Sequence, residues 1–199
     1  MKYPLLIFIF LLLCCNKPKD NAPIKAPVSV AKTIATKDSL FSATTDTIIL
    51  KDINSDKIND TAFVYTPPTL AVLDAKGNVE FGVGCPDNHC YNKITFSCKL
   101  PEIAFEESVW GALENAGDLN GDGISELLFM PGWFTSSLTK LYLYSLKNGK
   151  WEIITSVEYR RNDAPLTPNL IQKGKKYFLR GVDLSDGDDR PVEVQIKFK

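Results

Sequence analysis

The chain holds one histidine, His89, in 199 residues. A lone imidazole cannot furnish the paired histidines of an H-E-x-x-H metallohydrolase, and no G-x-S-x-G nucleophile elbow occurs either. An excess of charge is missing too: 23 Lys and Arg against 24 Asp and Glu leave a net charge of −1. That balance provides no basic footprint for nucleic acid. No apolar run reaches the roughly 20 residues that a membrane-spanning helix needs.

What is present begins with Leu5–Leu13, a short apolar run after Met1-Lys2-Tyr3-Pro4 that ends in Cys14-Cys15. One positive charge ahead of such a run is the layout of a secretory signal. Ending at cysteine in place of a small-residue cleavage site, it resembles a bacterial lipoprotein leader. Cys15, preceded by the small Cys14, is then the acylation site, carrying fatty acyl chains such as palmitate; stable anchoring takes more than one chain. Residues 1–15 read as the leader. Residues 16–45, rich in Lys, Pro, Ala and Thr, bury too little to order themselves and read as a tether. Residues 46–199 read as one domain. The tether start, Asn16-Lys17-Pro18-Lys19-Asp20, lacks an acidic export run. An outer-membrane anchor facing the periplasm is therefore expected ahead of the cell surface.

Beyond the leader lie Cys85, Cys90 and Cys98. An exported chain meets an oxidising compartment, so one disulfide is expected, its pairing open among three choices. With His89 these cysteines also have the chemistry of a soft-metal or redox site for zinc or copper. Their spacing, C-x₄-C, is not the C-x₂-C of most zinc sites.

The most specific pattern is Asp118-Leu119-Asn120-Gly121-Asp122-Gly123-Ile124-Ser125-Glu126, with a looser copy at Asp52-Ile53-Asn54-Ser55-Asp56-Lys57-Ile58-Asn59-Asp60. Oxygen-bearing side chains fall at positions 1, 3, 5 and 9: Asp118, Asn120, Asp122 and Glu126, or Asp52, Asn54, Asp56 and Asp60. Ile124 and Ile58 stand at position 7, where such a loop offers a backbone carbonyl. A calcium ion takes six to eight oxygens at roughly 2.3–2.6 Å, and alternate residues of a curled loop supply them. Gly123 sits where the chain must turn. Lys57 takes that place in the first copy and adds a positive charge.

Short β-branched and aromatic runs flank both loops, Thr47–Leu50 and Thr61–Tyr65 around the first, Leu127–Met130 after the second. Each copy then breaks at proline, Pro67-Pro68 or Pro131-Gly132, and ends in a hairpin, over Lys76-Gly77 or Asn148-Gly149. The segment from Cys85 to Ser108 reads as an insertion. The loops start 66 residues apart, at Asp52 and Asp118, and a degraded acidic segment, Asp183–Asp189, follows at nearly the same interval. A fixed period of this kind marks a repeat architecture. The core is expected from Phe63, Val64, Leu128, Phe129, Tyr142 and Ile153, with Trp133 the more exposed of Trp110 and Trp133.

This loop–strand–hairpin order, centred on Gly117–Gly123, resembles the FG-GAP and VCBS-type repeats of integrin-like propellers and exported bacterial proteins. The resemblance implies an all-β fold of antiparallel blade-like repeats, two clear and one degraded. Two or three repeats fall short of the four to eight blades of a closed propeller. It also implies calcium in both loops. The function expected is that of a lipid-anchored, non-catalytic binding or structural module presenting a surface to a protein or glycan. The alternatives are an extracytoplasmic hydrolase and a soft-metal or redox protein built on Cys85–Cys98.

Overall fold

A computed structural model describes residues 39–74, 76–134, 136–162, 164–185 and 189–198. The leader, Cys14, Cys15 and the tether through residue 38 lie outside them, as do Asp186, Gly187 and Asp188 of the third acidic segment.

The described residues form an all-β, antiparallel structure. Its strands are β1 (Ser39–Phe41), β2 (Thr44–Lys51), β3 (Asp60–Thr66), β4 (Thr69–Leu73), β5 (Val79–Gly84), β6 (Tyr91–Phe96) and β7 (Ile103–Glu106). They continue as β8 (Trp110–Gly117), β9 (Glu126–Gly132), β10 (Leu138–Lys147), β11 (Lys150–Arg160), β12 (Leu170–Lys173), β13 (Lys176–Asp183) and β14 (Arg190–Gln195). The order begins at Ser39, ahead of the boundary expected at residue 46, because β1 pairs along β4.

Two four-stranded sheets dominate, β2-β3-β6-β7 and β8-β9-β10-β11, each running up and down in sequence order. A three-stranded sheet, β12-β13-β14, and a smaller one, β1-β4-β5, complete the set, and none of them closes on itself. The acidic loops join the first two strands of each large sheet. Two expectations need correcting here. The segment from Cys85 to Ser108 is no insertion: Tyr91, Lys93 and Thr95 alternate with Asn92, Ile94 and Phe96, and β6 and β7 form half of the first large sheet. The hairpin β4–β5 is the excursion instead, paired with β1 outside that sheet.

Nor does Pro131-Gly132 break the chain. Strand β9 runs through it, with Gly132 opposite Trp110 and Pro131 opposite Gly111 on β8. A Cβ at Gly132 would overlap the Trp110 ring, so glycine there is a packing requirement. Strand β10 has left β9 by this point, and the Thr139 hydroxyl donates to the Pro131 carbonyl. The hairpin β10–β11 turns at Asn148 (φ 51°) and Gly149 (φ 74°), the pair of positive angles a two-residue turn needs.

The second large sheet is covered on both faces. One face packs Leu113, Leu127, Phe129 and Tyr144 against Leu50, Ala62, Val64, Ile94 and Ile103 of the first sheet. The other packs Leu128, Met130, Leu141, Leu143, Val157 and Tyr159 against Leu179 and Ile196. Every residue of β9 is consequently buried. Val64, Leu128 and Phe129 are core as expected, and Tyr142 packs partly against the first core. Phe63 and Ile153 are not: they remain 38% and 49% exposed. Strand alternation turns Phe63 away from Ala62 and Val64, and so onto the open face.

Candidate functional site: two acidic loops

Both loops leave their first strand through the same irregularity. Strand β2 shifts register between Ile49 and Lys51, and β8 between Asn115 and Gly117. The residue before each first aspartate then has a left-handed backbone, Lys51 at φ 61° and Gly117 at φ 81°. Positions 4 and 6 repeat this, at 61° and 69° for Ser55 and Lys57, and 82° and 86° for Gly121 and Gly123. Lys57 thus turns the chain as Gly123 does, without glycine's freedom.

Hydrogen bonds explain how. The Asp118 carboxylate accepts the amides of Gly121 (2.7 Å), Asp122 (3.2 Å) and Gly123 (2.9 Å). That of Asp52 accepts Asn54 (3.3 Å), Asp56 (3.2 Å) and Lys57 (2.8 Å). Asn120 and Asn54 accept the amides of Asp122 and Asp56, which in turn accept those of Ile124 and Ile58, both at 2.8 Å. The position-9 carboxylate closes each loop on the position-2 amide: Glu126 on Leu119 at 2.7 Å and Asp60 on Ile53 at 3.0 Å. Ile53 is buried in the first core and Leu119 packs on the second, so each loop is pinned by an apolar residue.

The environments of the closing carboxylates differ. Glu126 is buried and accepts the Asn120 amide (2.9 Å) and the Ser145 hydroxyl (2.8 Å) on its other oxygen. Burial raises its pKa, the Leu119 amide and Ser145 pull it back, and the charges of Asp122 and Asp118 raise it further. Asp60 faces Cys98, whose thiol is pushed up to about 11 by burial and then by the hydrogen bond and charge of Asp60. Between the loops, the Ser55 hydroxyl donates to the Gly123 carbonyl (2.7 Å) and the Ser125 amide to that of Ile53 (2.8 Å). The Asn115 amide nitrogen also reaches the Leu50 carbonyl at 2.6 Å.

Within each loop, hydrogen bonds link the side chains at positions 3 and 5, Asn54 with Asp56 and Asn120 with Asp122, and position 5 accepts the amide of Ile58 or Ile124. Glu126 also reaches Asn120, whereas Asp60 closes on the Ile53 amide. Their donors are all oxygen, which suits a hard cation. The amide nitrogen of Asn120 lies 2.9 Å from both Asp122 and Glu126, marking where their negative charge converges. Among the described residues no three His, Cys, Asp or Glu side chains close on one point, and position 3 of each loop is asparagine. Sequence reasoning missed Ser145, Ser55, Ser125 and Asn115. Ser145 alone left a trace, as the polar residue that ends the Leu141–Tyr144 run.

The remaining candidates lie elsewhere. Cys85 and Cys90 form the disulfide, which takes both sulfurs from any soft-metal site, and Cys98 stays free beside Asp60. His89 pairs with Glu106 at 2.8 Å. In the third acidic segment Asp183 accepts the Ser185 amide and Asp189 is held by the Arg160 guanidinium. No protein-family profile, curated protein or solved structure matches the chain.

Proposed function

We propose that this chain is an exported, lipid-anchored, non-catalytic module whose two acidic loops hold calcium. In this reading the large sheets are successive blades of an incomplete propeller of FG-GAP or VCBS type. The observation that carries it is the correspondence of the loops at an offset of 66 residues, from Asp52 to Asp118. Left-handed positions, carboxylate–amide bonds and apolar pin all recur in place. Two sequences that differ at every left-handed position have kept one oxygen-lined geometry, which points to a shared ligand.

Calcium would be held by Asp118, Asn120, Asp122, the Ile124 carbonyl and Glu126, and by Asp52, Asn54, Asp56, the Ile58 carbonyl and Asp60. It would neutralise carboxylates that otherwise repel, so its role is to stiffen the loops. The Cys85–Cys90 disulfide supports an oxidising compartment, in line with export. The anchor would be the acylated Cys15, at an outer membrane facing the periplasm or outside.

Two measurements test the reading separately. Cys15→Ala should release the chain from membranes or block its maturation; unchanged maturation and membrane partition would overturn the anchor. A melting temperature indifferent to calcium and to chelator would overturn the metal.

A further inference from the structure

Backbone strain in this molecule is concentrated. Among the described non-glycine residues with left-handed backbones, Lys51, Ser55 and Lys57 belong to the first loop and Asn148 to a hairpin. The other four are Asp87 (φ 59°), Asn88 (54°), Glu107 (54°) and Phe134 (35°). They lie on the three segments that wall one cleft of about 750 Å³, lined by Asn88, His89, Cys90, Glu106, Glu107 and Trp133. Such angles persist only where the surroundings fix them, and they gather at binding sites.

What fixes them here is on two sides. The Cys85–Cys90 disulfide packs on Val109, Trp110 and Phe134. Behind Glu107, the buried Ser108 hydroxyl donates to Asn92 and lies 2.8 Å from the Trp110 carbonyl, while Asn92 donates to that of Tyr65 at 3.0 Å. A buried polar network with every member satisfied is rigid. Trp133 stands edge-on to Phe134, with centroids 5.1 Å apart, and yet leaves 43% of itself to solvent.

We propose that this cleft binds a saccharide, with the sugar ring on Trp133 and its hydroxyls on the His89–Glu106–Glu107 side. An indole face carries negative potential and attracts the polarised C–H face of a sugar. The polar wall offers both kinds of partner: Glu106 and Glu107 accept, while Asn88 donates through its amide. Because a carboxylate only accepts, His89 Nε2 is the donor in its 2.8 Å contact with Glu106, and the His89 ring stacks on Tyr91 at 4.8 Å. A hydroxyl donates and accepts at once, and so matches such a mixed set; a cation would need acceptors alone.

The cleft shares no residue with the acidic loops: Glu126 begins β9, and Trp133 follows its far end. The full-length protein in detergent would be applied, with chelator present, to an array of neutral-hexose and N-acetylhexosamine oligosaccharides. At least one family of glycans should be retained, and Trp133→Ala should weaken that binding by about tenfold or more. Glu106→Gln should weaken it less, with both variants melting like the parent. An array left bare, binding that survives Trp133→Ala, or capture of the polycation spermine in place of sugars would each overturn the proposal.

Discussion

The two acidic loops share one backbone and differ in what holds it. Loop 118–126 uses Gly117, Gly121 and Gly123 at its left-handed positions; loop 52–60 uses Lys51, Ser55 and Lys57. A left-handed non-glycine residue costs roughly 1–2 kcal/mol. The first loop nevertheless keeps the conformation, because its side-chain oxygens accept the amides at positions 2, 5, 6 and 7 as those of the second loop do, and Ile53 is buried as its pin. Glycine therefore eases this turn and does not dictate it. Hydrogen bonds accepted by the position-1 carboxylate and an apolar residue at position 2 do.

The largest expected effect concerns metal. A calcium site filled a hundredfold above its Kd adds about 2.7 kcal/mol to stability, and one kcal/mol is worth about 2–4 °C in a domain of this size. Chelator should lower the melting temperature by several degrees. Asp122→Ala should lose more of the calcium-dependent gain than Asp56→Ala, since Lys57 brings a competing positive charge to the first loop. Equal losses in calcium titrations of the two variants would erase the ranking.

Next in size are the backbone exchanges. Gly123→Ala should destabilise by about 1 kcal/mol or more through conformation alone, since the nearest atom to an added Cβ is the Ser55 hydroxyl at 3.9 Å. Lys57→Gly should stabilise, by less than 1 kcal/mol, because glycine's larger unfolded entropy offsets part of the relief. Urea denaturation in chelator would show the opposite signs; matching signs would mean that the loops are not equivalent. Ser55→Ala, which removes the bond to the Gly123 carbonyl, should cost about 0.5–1.5 kcal/mol. Its double-mutant cycle with Asp118→Ala should show coupling, and strict additivity would mean that the loops act apart.

The last comparison is a slope. Glu126 has a raised folded pKa, so its contribution is fully present below the ordinary carboxylate value and is lost as pH rises through the raised one. In chelator, stability should therefore fall with rising pH across the window just above the ordinary glutamate range. Glu126→Gln should flatten that fall and abolish the response to calcium at the second loop. An unchanged slope would show that Glu126 ionises in the fold as freely as in the unfolded chain.

The acidic loops were legible because each oxygen-bearing position is set by local spacing, which sequence displays directly. The all-β class was legible from runs such as Leu127–Met130 and from Asn148-Gly149. Which strands share a sheet was not. Both β4–β5 and β6–β7 follow β3 as hairpins of short strands, and only the pairing of β6 along β3, with Asn92 and Ile94 buried, decides between them. Phe63 and Ile153 misled for a related reason: an apolar side chain on a strand does not announce which face is covered. The walls of the Trp133 cleft come from segments separated in sequence, so nothing local foretold them.

The double burial of β9 has a consequence for how solvent reaches the interior. Neither β8 nor β10 can swing away from it without parting one packed face, and its side chains are divided between both. The amides of Leu127, Leu128 and Phe129 consequently have no partial opening that admits water. They should exchange their hydrogens only when the whole stack comes apart, as amide exchange followed by mass spectrometry would show. Outer strands such as β2 and β14 can fray long before then, and β9 is the clock by which the global life of the fold would be read.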